Sequence, residues 1–304
     1  MTRFAFLFPG QASQKVGMGE DFYGQFRRVR ELYDAAETFL GFPLKKLSFQ
    51  GPLEELTKTQ FTQPAIFVQS CALDLLLREK GIRPAAAAGH SLGEFSALVS
   101  AEALSFEDGL RLVKLRGELM GKAGDIRPGA MAAVIGLDAP LVEEACRQAG
   151  GIVITANYNS PGQFVISGEI EAVRRAGEIA KAKGAKIVKS LAVSGAFHSP
   201  LMEFASKELF AALDDTKFRK TKFPVFHNAS AKPASSPLEI KDSLKKQLLN
   251  PVRWDESIKN MLPLADKFLE VGPGNVLTGL MKRISPDKET LTIDKLEAFQ
   301  FLLP

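Results

Sequence analysis

One serine held between two glycines, Gly89-His90-Ser91-Leu92-Gly93, constrains this chain more than any other stretch. Small residues two places before and two after a serine permit a sharp turn from a strand straight into a helix. At such an elbow the hydroxyl stands above the sheet edge, and the first backbone N–H groups of the helix face it. The flanks agree: 85–88 is a run of four alanines after Pro84, and Glu94-Phe95-Ser96-Ala97-Leu98-Val99 reads as helix. Alanine has poor strand propensity, so reading 85–88 as a buried strand depends on the turn that follows it. The pentapeptide also arises by chance in glycine-bearing loops, and alone it leaves nucleophile and plain turn both open.

Upstream, 4–8 is a continuous apolar run ending in Pro9-Gly10, a buried strand followed by a loop. The loop 9–14 lacks the Gly-Lys-Ser/Thr ending of a phosphate-cradling loop. Thr62-Gln63-Pro64-Ala65 reads as a cap with a first-turn proline, opening a helix to Lys80. Ser105-Phe106-Glu107-Asp108 is a capping-box-like start for a helix to about Lys122. Stepping its residues about 100° apart gathers Leu110, Leu112, Val113, Leu115, Leu119 and Met120 on one arc. Arg116 falls in the middle of that arc. A guanidinium facing the core must be paired, since isolated buried charge is very costly. It is either a structural ion pair or snorkelling side chain, or a receptor for a substrate carboxylate held by two parallel hydrogen bonds.

Between 130 and 193 the pattern changes. Strand 130–137, helix 140–149, strands 152–156 and 163–167 joined through Asn159-Ser160-Pro161-Gly162, helix 170–183 and strand 186–193 give β-α-β-β-α-β. That is the order of a ferredoxin-like unit. Flanked by linker-like 124–129 and Ser194-Gly195, it reads as a small domain, 127–196, inserted into a larger one made of 1–126 and 197–304. After it, Ser199 and Pro200 begin a helix through Leu213, so His198 sits just ahead of a helix N-terminus, whose dipole disfavours imidazolium. A lone histidine is more often structural, and base and structural readings both stand. Of the other two histidines, His90 is constrained by the elbow and His227 ends a strand-like run. Residues 266–271 form another buried strand, followed by Gly272-Pro273-Gly274-Asn275 and a helix to Arg283, and a terminal helix is expected over 296–303.

The 304 residues suffice for one large domain or two, and 45% hydrophobic with 24% charged residues is ordinary for a soluble globular chain. The net charge of +4 fits a solvated surface or an acidic or phosphorylated partner. Short, scattered basic clusters without interleaved aromatics argue against nucleic acid. Cys71 and Cys146 have no metal-ligand spacing and are expected as buried free thiols in a reducing compartment. No apolar run reaches membrane-spanning length and the apolar start is too short for a signal peptide, so a cytoplasmic protein with no membrane partner is expected.

Taken together, Phe8-Pro9-Gly10-Gln11, Thr62-Gln63-Pro64-Ala65, Gly89-His90-Ser91-Leu92-Gly93-Glu94, Arg116-Gly117, Asn157-Tyr158-Asn159-Ser160-Pro161-Gly162-Gln163, Ala196-Phe197-His198-Ser199, Gln247-Leu248-Leu249-Asn250-Pro251-Val252-Arg253-Trp254 and Glu270-Val271-Gly272-Pro273-Gly274 resemble one family in order. It is the malonyl-CoA:acyl carrier protein transacylases of fatty-acid synthesis. The resemblance implies an α/β fold: an α/β-hydrolase-like core with an inserted ferredoxin-like domain and the site in the gorge between. It implies Ser91 as nucleophile, His198 as acid–base oriented by the backbone carbonyl of Gln247, and the N–H groups of Gln11 and Leu92 as oxyanion hole. Arg116 is implied as carboxylate receptor, with Gln63, Met120, Asn159, Gln163 and Phe197 binding substrate.

On the same footing, no metal and no cofactor is implied; malonyl-CoA and the phosphopantetheine arm of acyl carrier protein are substrates. A monomer that docks the acidic carrier protein transiently is expected, with Lys282-Arg283 and the Arg174-Arg175 to Lys189 region as docking candidates that solvated helix faces explain equally well. In related polyketide acyltransferases Ala-Phe-His-Ser accompanies malonyl, so Phe197 is expected to crowd an α-methyl group. A serine hydrolase would share Ser91 and His198 but has no reason to bury Arg116; a non-catalytic scaffold would keep the fold alone.

Overall fold

Phe4-Ala5-Phe6-Leu7-Phe8 is apolar at every position because both faces of the strand are covered. Phe6 and Phe8 join one core with Phe67, Ala87 and Leu269, while Ala5 and Leu7 join another with Ala86, Ala88 and Phe268. A strand buried on both faces reads as a continuous apolar run rather than an alternating one. The computed structural model describes residues 2–193 and 195–302. Its strands are β1 (Phe4–Phe8), β2 (Pro84–Gly89), β3 (Ala130–Ile135), β4 (Val153–Ser160), β5 (Gln163–Gly168), β6 (Ile187–Ser190), β7 (Val225–Phe226), β8 (Pro233–Ala234), β9 (Lys267–Val271) and β10 (Thr290–Ile293).

They form two sheets of an α/β protein. The larger is mixed, in the order β10-β9-β1-β2-β7-β8, parallel throughout except for the β7–β8 pair. The other is antiparallel, in the order β4-β5-β3-β6, with helices Ala139–Ala149 and Ile170–Ala182 supplying its own core through Val142, Ala145, Val173 and Ala176. The edge of the small sheet is stitched to the larger body: Tyr158 N–H donates to Val252 O at 2.9 Å, and Val252 N–H to Ala156 O at 2.8 Å. Among the described residues no helix is long and apolar enough to cross a membrane.

Several local expectations need correction. The helix carrying Pro64 spans Thr59–Glu79, so the proline is interior rather than in the first turn. Lys58 O takes the N–H groups of both Phe61 and Thr62 and starts the helix ahead of the proline. Asn159 and Ser160 belong to β4, and the hairpin turn is only Pro161-Gly162, with Gly162 at φ +69°. The stretch taken as linker at 124–129 includes a short helix, Ala123–Ile126. The single helix expected from Pro200 is a 3₁₀ segment, Pro200–Ala205, followed by the α-helix Ser206–Asp215. The last helix runs Leu296–Phe301, while Leu303, like Ser194, lies outside the described residues.

Candidate active site

The elbow is built by close backbone approach. A Cβ on Gly89 would stand 1.8 Å from Gly93 C, and one on Gly93 would stand 2.0 Å from Phe8 O. Only glycine at both places lets the end of β2 turn into the helix Gly93–Ser100 while that helix rests on the end of β1. His90 N–H donates to Phe8 O at 2.9 Å and locks the two loops together. Ser91 is left at φ +51°, a left-handed conformation that costs a non-glycine residue about 1–2 kcal/mol. His198, from the far side of the small sheet's excursion, has φ +57°. Strained backbone at two facing residues is a signature of a functional site.

The two side chains meet. Ser91 Oγ lies 2.8 Å from His198 Nε2, and His198 Nδ1 lies 2.8 Å from the backbone carbonyl of Gln247. A carbonyl can only accept, so Nδ1 carries the proton and Nε2 offers its lone pair to the serine hydroxyl. Burial first, and the nearby Arg116 charge second, push His198 down from 6.5 to about 3. The expected neutrality therefore holds but for another reason: the helix end invoked from the sequence is a short 3₁₀ segment, and desolvation dominates.

Arg116 is 1% exposed. Its Nη1 donates to Gln63 Oε1 at 2.7 Å, and its Nη2 to Ser91 Oγ at 3.0 Å and Gln247 Oε1 at 3.1 Å. All three of these acceptors are neutral. Burial lowers its pKa to about 10, opposed by the field of Glu94, so it remains a cation at neutral pH. Phe95 lies under the guanidinium at 5.9 Å.

Gln11, Gln63, His90, Ser91, Leu92, Arg116, Met120, Asn159, Gln163, Phe197 and His198 line one cavity of about 280 Å³, with Val276, Leu277 and Leu280 on its other wall. Gln247 stands behind it. His90 Nε2 donates to Asn159 Oδ1 at 2.9 Å, and Arg283 Nη1 donates to Gln163 Oε1 at 2.5 Å, joining the helix Val276–Ile284 to β5. The cavity opens beyond the carboxyl ends of β1 and β2, where ligands of open α/β sheets bind. Among the described residues no group of three His, Cys, Asp or Glu side chains could hold a metal, and both cysteines are buried and free.

Sequence reasoning passed over Asn228, whose Oδ1 accepts from Ser91 N–H at 2.6 Å and whose Nδ2 donates to Gly89 O at 2.7 Å. The available signal was position: Asn228 follows β7, the parallel neighbour of β2, at the same sheet edge. Glu94 was noticed only as a motif residue, yet it is fully buried.

A hydroxyl bonded to a neutral imidazole beside a buried guanidinium is suited to acyl transfer, and residues 5–292 match the acyl transferase domain. The malonyl CoA-acyl carrier protein transacylase of Bacillus subtilis (strain 168) is 42% identical over 100% of this chain and 97% of its own length; that of Escherichia coli (strain K12) is 46% identical over 97% and 96%. A malonyl-transacylase in complex with a type II PKS acyl-carrier protein superposes with a TM-score of 0.95 at 43% identity, covering 99% of each chain. The chain belongs to the malonyl CoA-acyl carrier protein transacylase family.

Proposed function

We propose that this enzyme moves a malonyl group from malonyl-CoA to the phosphopantetheine thiol of acyl carrier protein, through a malonyl-serine ester on Ser91. The observation that carries the reading is Arg116, a buried cation whose side-chain acceptors among the described residues are neutral, 3.0 Å from the hydroxyl that His198 polarises. A lipid ester or an acetyl group would leave that charge without a partner, whereas a malonyl carboxylate matches it with charge-assisted bonds.

In the first half-reaction, the Ser91 proton passes to His198 Nε2 as Oγ adds to the thioester carbonyl. The N–H groups of Gln11 and Leu92, both lining the cavity, receive the developing oxyanion. Collapse expels CoA, which takes the proton from His198. In the second half-reaction, the carrier-protein thiol gives its proton to His198 and attacks the ester, and Ser91 leaves with that proton. Gln247, through its carbonyl, holds the imidazole in the tautomer both halves need. Gln63 orients Arg116, Asn159 holds His90 through its side chain, and Met120, Gln163 and Phe197 bound the acyl and pantetheine path. No metal or cofactor takes part in these steps.

The parallel sheet with its serine elbow supports an α/β-hydrolase-like core of 1–126 and 197–304, and the order β4-β5-β3-β6 supports a ferredoxin-like insert over 127–196. A cytoplasmic monomer is the form proposed.

Intact-protein mass spectrometry tests the reading: mixing with malonyl-CoA should add one malonyl group on Ser91 that persists until carrier protein is supplied. An adduct lost rapidly to water would make the protein a thioesterase instead.

A further inference from the structure

The serine elbow is gripped from both sides, and both grips end on one buried carboxylate. Asn228 accepts from the Ser91 N–H at 2.6 Å, and Gln247 Nε2 donates to the Ser91 carbonyl at 2.9 Å. Glu94, fully buried in the first turn of the helix after the elbow, anchors both amides. Its Oε2 accepts from the Asn228 backbone N–H at 2.9 Å and from Gln247 Nε2 at 2.9 Å, and its Oε1 accepts from His227 Nδ1 at 2.6 Å. His227 is itself fully buried, and its other ring nitrogen has no partner among the described residues. A buried carboxylate needs this density of donors, because unpaired it would be very costly.

Gln247 is also the residue whose carbonyl receives His198 Nδ1 and whose Oε1 receives Arg116 Nη2. One residue thus joins the serine and the arginine through its side chain and the histidine through its backbone carbonyl, and Glu94 holds that side chain. We infer that Glu94 is a positioning residue: by fixing Gln247 and Asn228 it clamps both ends of the Ser91 peptide unit in its left-handed conformation, and keeps Oγ in register with His198. The acid of a familiar serine triad bonds the histidine directly. Here the carboxylate stands one residue further back and acts on the serine and the histidine at once.

The proposal rests on Ser91 being the nucleophile, and the test separates the two. Full-length Glu94→Gln and Asn228→Ala are compared with the wild type for kcat and KM with malonyl-CoA, and for the rate at which phenylmethanesulfonyl fluoride modifies Ser91. Circular dichroism and Tm give the folded fraction. Misplacing a reacting group by about 1 Å costs about 10²-fold, so kcat and the sulfonylation rate should both fall on that scale while KM stays within about threefold. The double variant should be no slower than the slower single, since both act through one unit. Wild-type kcat per folded molecule, or losses that multiply in the double variant, would overturn the clamp. If Glu94→Gln does not fold, Glu94→Asp, which keeps the charge but draws the carboxylate back by one methylene, decides by the same measurements. Wild-type protein that takes no malonyl group on Ser91 overturns the nucleophile reading instead, whereas equal labelling of wild type and Glu94→Gln overturns only the clamp.

Discussion

Arg116 donates a hydrogen bond to Ser91, its Nη2 standing 3.0 Å from the hydroxyl oxygen. The nitrogen proposed to receive the substrate carboxylate is therefore also bonded to the proposed nucleophile. Charged hydrogen bonds contribute roughly 1.5–3 kcal/mol each. Arg116→Ala should accordingly lower kcat/KM for malonyl-CoA by about 10²-fold or more, while transfer of an uncharged acyl group is kept or improved. Steady-state kinetics with malonyl-CoA and acetyl-CoA check this, and equal losses for both would make Arg116 a structural residue.

Burial and the Arg116 charge hold His198 at about 3, against 6.5 for an unperturbed ring. The ring is then unprotonated across the neutral and mildly acid range, and with His198 as the proposed base kcat/KM should show no inflection near pH 6.5. The stability consequence has a definite sign. Between 6.5 and 3 the unfolded chain protonates this residue and the folded one does not, so acidification destabilises the fold through it by about 1.4 kcal/mol per pH unit. His198→Gln should lose less Tm than the wild type as pH falls through this window, and a pH series of thermal melts reads the difference.

Two glycine substitutions should move stability in opposite directions. Gly93→Ala brings a methyl group to 2.0 Å from a backbone oxygen, so helix and strand must separate and the elbow opens. Loss of both folded yield and activity is expected. Gly279, in the exposed face of the helix Val276–Ile284, has nothing within 4 Å of a Cβ placed there. Gly279→Ala should raise stability by up to about 1 kcal/mol through helix propensity, with kcat unchanged. A fall in Tm there would mean that the methyl group meets a neighbour and the site is tighter than the open space around its backbone.

These sites differ in how far the sequence discloses them. The apolar run 4–8 is unbroken and the arc around Arg116 is periodic, and both patterns survive without coordinates; so the buried strand and the buried guanidinium were both readable. Asn159 was assigned to a turn because Asn-Ser-Pro-Gly has turn chemistry, but only the last two residues turn, and the rest extends β4. β10, Thr290–Ile293, was missed although Thr-Leu-Thr-Ile alternates, because four residues at a half-buried sheet edge are too short a pattern to stand out. Asn228 is the most instructive omission. It lies 137 residues from the serine it holds, after a strand of only two residues, and nothing local marks it. Pairings of that kind come from sheet order, which a sequence pattern does not contain.

Phe197 offers the sharpest test of substrate choice. It is 6% exposed and lines the cavity beside Ser91, Arg116 and Met120. In the proposed ester, a malonyl group bonded through its carbonyl carbon to Ser91 and through its carboxylate to Arg116 would be fixed at both ends, so its α-carbon could not slide away from a neighbouring ring. An α-methyl group must then find room against Phe197 or weaken one of the two end contacts. A single methyl group changes discrimination by about 1–3 kcal/mol. Phe197→Ser should therefore raise the ratio of kcat/KM for methylmalonyl-CoA over malonyl-CoA by at least about tenfold, measured by direct competition and mass spectrometry of the carrier-protein product. A ratio unchanged in a folded variant would place the α-carbon away from the ring, and the discrimination would have to be sought on the Met120 side of the cavity.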